Sequence, residues 1–287
     1  MNIKVAAMFS GIGFQERGLE LTNLFNLDVV ATSEIDTNAI IGYAAIHNGL
    51  TYEMINNYSE YPSRKEMAEW LTSHGIGYDP MKNKQYDWYK KINGKTKDLE
   101  RAWLACQLNK NVGDISKVES LPSCDLLTWS SPCTDISIAG SIRGFAEDSG
   151  TRSSMLWHVV RLLRDYKDRN DLPKYLLFEN VKNIVSKNFI DNFNEVIGCL
   201  DDLGYNSYWE IINGKNCGVP QNRERVFMIS IRKDIDTEKF EFPTPFDSGL
   251  RLKDILLPNV DSKYYITNER ADNLIEELIL NGKVRGI

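Results

Sequence analysis

Histidine is scarce in this 287-residue sequence: His47, His74 and His158 are the full set, and they lie far apart. The five cysteines (Cys106, Cys124, Cys133, Cys199 and Cys217) are equally scattered and show no C-x-x-C spacing. That distribution gives no zinc site, and the odd count argues against a disulfide framework, so no metal is expected. Long apolar runs are missing too. Asp, Glu, Lys, Asn or Arg interrupts every candidate before it could span a bilayer, which excludes a membrane helix. The segment Met1–Val5 leads directly into a strand without the charged-then-apolar layout of a secretory signal, so the expected location is the cytoplasm. Nor is there a surplus of positive charge. With 34 Lys and Arg against 40 Asp and Glu the net charge is -6, so any attraction for phosphate must come from a local basic groove. No repeat or low-complexity tract is visible.

What is present is ordinary globular material. Apolar residues make up 42% and charged residues 26%, a balance that excludes a disordered chain. The length suits one large α/β domain or two small ones. Apolar, β-branched runs predict strands at Ile3–Phe9, Asp28–Ile35, Asp125–Trp129, Tyr175–Phe178, Ser207–Ile212 and Val226–Ile231. Helix-period segments between them predict helices near Gln15–Asn23, Thr37–Ile46, Arg152–Tyr166 and Phe189–Leu203. The alternation predicts an α/β fold, doubly wound around a largely parallel sheet. Residues 51–112 break the rhythm. Rich in Tyr, Trp, Lys, Asn and Glu, they read as a mostly helical insertion with helices at Arg64–His74 and Asp98–Leu108. A packed decoration of the domain edge is the preferred reading. A DNA-facing role for Lys82, Lys84, Lys90, Lys91, Lys95 and Lys97 is the alternative.

Five short constellations carry chemistry. Phe9-Ser10-Gly11-Ile12-Gly13 follows the first strand, where glycines admit close approach of a cofactor and the next helix offers free N–H groups. The same residues also suit a plain strand-to-helix turn. A dinucleotide fold asks for a further glycine at position 16, and Glu16 stands there, which disfavours a nucleotide-dependent oxidoreductase. Glu34-Ile35-Asp36 ends the second strand. A carboxylate there accepts hydrogen bonds from ribose hydroxyls, a role assigned to Glu34, while Asp36 suits a helix cap. Asp114 in Gly113-Asp114-Ile115 could face an adenine edge, or serve an ordinary turn. Ser131-Pro132-Cys133 follows the third strand of the sheet, at the sheet edge where open α/β folds bind ligands. Cys106, Cys124, Cys199 and Cys217 read as small buried hydrophobes, whereas Cys133 opens a polar loop of the length and composition of a mobile active-site element. Glu179-Asn180-Val181 supplies a carboxyl at a strand end, able to anchor or donate a proton. In Gln221-Asn222-Arg223-Glu224-Arg225, alternating register sends one guanidinium toward the pocket and the other toward neighbouring structure.

Read in order, these constellations resemble the ordered motifs of DNA cytosine-5 methyltransferases. The stretch Asp148–Ser153 leading into Met155-Leu156-Trp157 resembles the family's segment after its catalytic loop. The match covers residues 3–257 apart from the insertion and is closest in wording to phage and bacterial members. It implies a Rossmann-like, S-adenosylmethionine-dependent methyltransferase sheet in a bacterial or phage-infected cell, with 1–257 as catalytic domain. Cys133 would be the nucleophile that adds to cytosine C6, and Glu179 the group that holds or protonates N3. Arg225 would contact the base or support Cys133, and Arg223 would brace the loop. S-adenosyl-L-methionine would be held by Phe9, Gly11, Ile12, Gly13, Glu34, Ile35, Asp114, Pro132 and Met155. The substrate implied is duplex DNA with the target base flipped out, beneath a lid at Ser137–Gly150.

The sequence departs from the family at Thr134, where Gln is usual after Pro-Cys, so the contacts of that Gln would be lost or replaced. It departs again after Arg251–Leu257, which resembles the helix leading to a target recognition domain. Residues 258–287 form a short extension with one amphipathic helix at Asn268–Asn281, and no final glycine-asparagine motif follows. The favoured expectation is a split enzyme in which a second polypeptide supplies those parts, with an exposed apolar seam as its physical mark. A truncated product and a subunit that binds cofactor without catalysis are the alternatives. A transfer-RNA cytosine-5 methyltransferase carries the same motifs and is the rival enzyme.

Overall fold

The computed structural model describes residues 1–79, 84–133, 135–136, 144–146, 149, 151, 153–266 and 268–281. Thr134, Lys82, Arg152 and most of the segment expected to form a lid fall outside the described residues. By internal contacts the chain divides into two units, one of Met1–Asn213 with Arg223–Thr244, the other of Gly214–Asn222 with Pro245–Ile287. The division falls after Thr244 and takes 214–222 with the second unit.

The first unit opens with β1 (Asn2–Met8), α1 (Phe14–Leu21), β2 (Asn26–Ser33) and α2 (Thr37–His47). The insertion follows as α3 (Tyr52–Asn57), α4 (Arg64–Ser73), a short antiparallel pair β3 (Tyr78–Asp79) and β4 (Lys84–Gln85), and α5 (Asp98–Leu108). The chain then returns to the sheet with β5 (Leu126–Trp129), α6 (Leu156–Asp168), β6 (Tyr175–Val181), α7 (Ile190–Leu203), β7 (Tyr205–Asn213) and β8 (Glu224–Arg232). Six strands form one sheet in the order β2-β1-β5-β6-β8-β7. The β1–β2, β1–β5 and β5–β6 pairs are parallel, and β8 runs antiparallel to both β6 and β7. This is the expected doubly wound sheet with one reversed strand.

Side chains alternate across a sheet with period two, and here the alternation sorts two cores. Ala6, Met8, Leu127, Trp129, Leu176, Phe178, Val226 and Met228 join the main core with residues of α6 and α7. Ile3, Val5 and Leu126 pack with Leu19 of α1 and with Leu177 in a smaller cluster on the other face. The insertion builds its own core from Met67, Leu71, Trp88, Leu99 and Ala102, and α2 contributes Ile40 and Ala44 to it. It is therefore a packed edge decoration. Lys91 pairs with Asp98 at 2.7 Å, Lys90 with Asp87 at 3.5 Å and Lys97 with Glu100 at 3.9 Å, so these lysines are matched by local acids.

Several expected boundaries move. β2 stops at Ser33, so Glu34 leaves the strand. β6 continues to Val181, which puts Glu179 and Asn180 inside it. The helix expected from 152 begins at Leu156, behind a single 3-10 turn at Ser153–Met155. Cys106 and Cys124 are buried, and burial pushes their thiols up to about 12 and about 11. Cys199 is only half-buried and Cys217 is exposed, which corrects the expectation of four buried cysteines. In the second unit, α8 (Leu252–Ile255) and α9 (Glu269–Leu280) bury no residue. Among the described residues no helix is long and apolar enough to cross a membrane, and no His, Cys, Asp and Glu cluster could hold a metal.

Glu16 replaces a glycine in the dinucleotide pattern, and the fold shows what it does. It is 1% exposed, on the face of α1 that meets β5, and accepts a hydrogen bond from Thr128 Oγ1 at 2.8 Å. Burial raises its pKa, and the Thr128 bond only partly opposes this. The folded chain therefore holds this proton more tightly than the unfolded chain does. The resulting stability is complete below the ordinary value of 4.5 and is lost as pH rises through the folded value. Glu16→Gln keeps an acceptor for Thr128 and removes the titration. Its melting temperature relative to the parent chain should be higher at about pH 8 than at about pH 5. A difference that does not change with pH would refute this account.

Candidate active site

Parallel strands bring their C-terminal ends to one edge, and the chain places its polar loops there. After β1 the backbone turns sharply. Phe9, Gly11 and Gly13 have φ of 55°, 54° and 81°. A Cβ on Gly13 would collide with the His47 imidazole, whereas one on Gly11 would meet nothing within 4 Å. Gly13 is thus required for packing, and Gly11 leaves open space over the loop.

The loop is tied to the end of β2 through Glu34. Its Oε2 accepts the Gly11 N–H at 3.0 Å, and Oε1 accepts the Ile35 and Asp36 N–H groups at 2.7 and 2.9 Å. Burial raises the pKa of this carboxyl while the three backbone donors pull it down. Asn111 then clamps the Glu34 backbone: its side chain accepts from Glu34 N at 3.1 Å and donates to Glu34 O at 3.0 Å. Asp36 caps α2 as expected, accepting from Asn38 N and Ala39 N at 2.8 and 2.9 Å. Asp114 caps a turn, its Oδ1 accepting from the Ser116 N–H and hydroxyl at 3.0 and 2.7 Å. Phe9, Ile12 and Ile35 are half-buried near these turns.

The Pro-Cys loop leaves β5 under close restraint. Asn180, 3% exposed inside β6, donates through Nδ2 to the Ser131 carbonyl at 3.1 Å and to Ser131 Oγ at 3.2 Å. Ser153 donates to the Pro132 carbonyl at 2.8 Å and accepts from Asp135 N at 3.2 Å, and Asn183 Nδ2 donates to the Ile136 carbonyl. Cys133 itself is half-buried. The described part of the expected lid is anchored: Phe145 is fully buried, its carbonyl accepts from Trp157 Nε1 at 2.8 Å, and Gly144 O accepts from Thr151 Oγ1 at 2.8 Å. Met155 packs half-buried against the main core beside this loop.

β6 and β8 complete the edge. Their antiparallel register sets Val181 opposite Arg225, so Arg225 and Glu179 share one face as a diagonal pair. Arg225 Nε lies 3.1 Å from Glu179 Oε1, and Ser130 Oγ donates to Glu179 Oε2 at 3.1 Å. Arg223 precedes the strand with an exposed side chain, and its backbone N–H donates to Asn213 Oδ1 at 3.1 Å. Strand alternation does not separate the two arginines, since positions two apart share a face; Arg223 lies outside β8 and is exposed, while Arg225 reaches Glu179. Asn180, Asn111 and Ser153 went unassigned in the sequence, although Asn180 sat inside a quoted motif. A cavity of about 360 Å³ lies beside Asp36, Thr37 and Trp88, on the insertion side and away from Cys133 and Glu179.

The residues present fit an adenosine-bearing methyl donor. The space over Gly11 is open, and Glu34 Oε2 receives one N–H and so retains a lone pair for a hydroxyl donor.

A family model described as C-5 cytosine-specific DNA methylase matches residues 89–285. The type II methyltransferase M2.ScrFI of Lactococcus lactis subsp. cremoris is 39% identical over 94% of this chain and 72% of its own length. The orphan methyltransferase M.SssI of Spiroplasma monobiae is 33% identical over 96% of this chain and 70% of its own. Among solved structures, the Dnmt2 methyltransferase of S. pombe shares the fold with a TM-score of 0.55 at 18% identity, over 96% of this chain and 66% of that one. The chain belongs to the C-5 cytosine-specific DNA methylase family and is a cytosine-5 methyltransferase.

Asn180 is the support whose removal is most easily read. Asn180→Ala leaves the buried Ser131 carbonyl without its donor, at a cost of about 1–3 kcal/mol in unfolding free energy. Chemical denaturation would measure it, and a variant as stable as the parent would show that the clamp contributes nothing.

Proposed function

We propose that Cys133 is the nucleophile and Glu179, steadied by Arg225, the base-contacting acid of a methyl transfer to C5 of cytosine in duplex DNA. The observation that carries this reading is the convergence of the Ser131–Cys133 loop and the Glu179–Arg225 pair on one sheet edge, joined through Ser130. Cytosine C5 is a weak nucleophile, and covalent addition at C6 is a way to activate it. The Cys133 thiolate adds to C6 of a flipped base, and the electron pair gained by the ring passes to C5. Glu179 holds N3 and supplies or shares a proton there as negative charge develops on the ring. Loss of the C5 proton and expulsion of the Cys133 thiolate then restore aromaticity. S-adenosyl-L-methionine, when bound, supplies the methyl group. Phe9, Gly11, Ile12, Gly13, Glu34, Ile35, Asp114, Pro132 and Met155 form its site, with Glu34 on the ribose. Arg223 braces the loop before β8.

The same proposal assigns residues 1–257 to catalysis, with 51–112 as an insertion, and 258–287 to an extension. Leu256, Leu257, Leu274, Ile275, Ile279 and Leu280 of the second unit are all exposed. That much uncovered apolar surface suits a second polypeptide, one that contributes to reading the DNA sequence. The bacterial and phage origin of the relatives supports a reaction in the cytoplasm of a bacterial or phage-infected cell.

The test is transfer of labelled methyl from S-adenosyl-L-methionine to mixed-sequence duplex DNA and, separately, to transfer RNA, with Cys133→Ala as control. Label on C5 of DNA cytosine, reduced to background in the variant, is expected. Label in transfer RNA alone, or activity surviving Cys133→Ala, would overturn the reading. Cofactor binding without transfer would assign the missing step to the second polypeptide.

A further inference from the structure

The face of the sheet that meets α1 carries a hydrogen-bonded line that runs from α1 to the Glu179 carboxyl. Glu16 bonds Thr128 on this face. One position earlier on α1, Gln15 Nε2 donates to Ser130 Oγ at 2.7 Å. Two positions along from Thr128, Ser130 donates to Glu179 Oε2 at 3.1 Å, and Arg225 meets the other oxygen of that carboxyl at 3.1 Å. Gln15, Ser130, Glu179 and Arg225 are half-buried.

The direction of this line follows from donor chemistry. A serine hydroxyl has one proton to give and lone pairs to receive, whereas an amide nitrogen only donates. With the Gln15 nitrogen on its oxygen, Ser130 is an acceptor on that side and its single proton is committed to Glu179.

We infer that Gln15 and Ser130 are positioning residues that fix the rotamer of the Glu179 carboxyl against Arg225 before the base arrives. This rests on the role proposed above for Glu179. A carboxyl gripped on one oxygen by Arg225 alone can swing about its terminal torsion, which is broad and roughly two-fold. A second donor on the other oxygen removes that freedom, and preorganised donors and acceptors are worth most when no rearrangement accompanies the reaction. Gln15 stands in the first turn of α1, directly behind Phe9–Gly13, so the line also ties the loop assigned to the cofactor to the group assigned to the base.

The experiment compares Ser130→Ala, Ser130→Thr, Gln15→Leu and Glu179→Gln for kcat, KM for duplex DNA and cofactor Kd, with the second polypeptide present if transfer requires one. Ser130→Ala and Gln15→Leu should each lower kcat about 10-fold or more, part of the 10²–10⁴-fold range typical of a placed proton donor. Cofactor Kd should be unchanged. Ser130→Thr retains the hydroxyl and should restore most of the rate. Because both residues act through one carboxyl, the double variant Gln15→Leu/Ser130→Ala should be no slower than the worse single one. Wild-type kcat in Ser130→Ala alongside a crippled Glu179→Gln would overturn the inference alone. Full activity in Glu179→Gln would overturn the role of Glu179 itself. A loss in Ser130→Ala that Ser130→Thr does not rescue, or that adds fully to Gln15→Leu, would mark a packing defect and refute positioning.

Discussion

A buried strand must find partners for every backbone N–H and C=O, and β5 meets that demand from both sides with only four residues. Leu126 to Trp129 pair in parallel with Val5 to Met8 of β1 and with Tyr175 to Phe178 of β6. All four side chains are buried, so the strand cannot slip by one residue without turning each of them to the opposite face. The register of β5 therefore fixes where the chain emerges, between the end of β1 and the end of β6. Everything assigned to chemistry is placed relative to that exit: the glycine turn on one side, Glu179 on the other, and Cys133 in the loop between them.

The restraint continues past the last strand residue. Asn180, Ser153 and Asn183 each donate to a carbonyl of the segment 131–136. A loop with polar backbone near the core has to satisfy those carbonyls, and here side chains from three different places do so. The result is a cysteine held by its neighbours' backbone while its own side chain stays half-open. Cys106 and Cys124 differ from it in exposure: both are buried, and desolvation raises their thiols.

Much of this was legible in the sequence because it follows from periodicity. The six strands of the sheet, the insertion and the cap at Asp36 are signalled by local pattern, and the order of the motifs named the family. What escaped were contacts between residues distant in the chain. Nothing near Asn111 announces that it clamps Glu34, because the bond spans the whole insertion. Glu16 defied the rule that carboxylates stay in water, since its partner Thr128 lies on a strand more than a hundred residues away. Cys199 and Cys217 were misjudged for the opposite reason: a residue type's average burial says nothing about a particular surface. The reversed strand β8 was also hidden, because an antiparallel partner at the end of a parallel sheet leaves no mark on the spacing of apolar residues.

The clamp by Asn111 also bears on how such a chain can change length. The insertion departs after α2, where Asn48 just before its start donates to Asn109 near its end at 2.9 Å, and Asn111 grips the backbone of Glu34 ahead of α2. Its two ends are therefore neighbours, and its buried apolar interior takes Ile40 and Ala44 from α2 and nothing from the six-stranded sheet among the described residues. Segments whose ends meet are those that proteins lengthen, trim or exchange at small thermodynamic cost. The excursion between them acts as a replaceable module plugged into a fixed socket, and the socket, one asparagine facing one glutamate, is the part that a substitute of any size would have to keep.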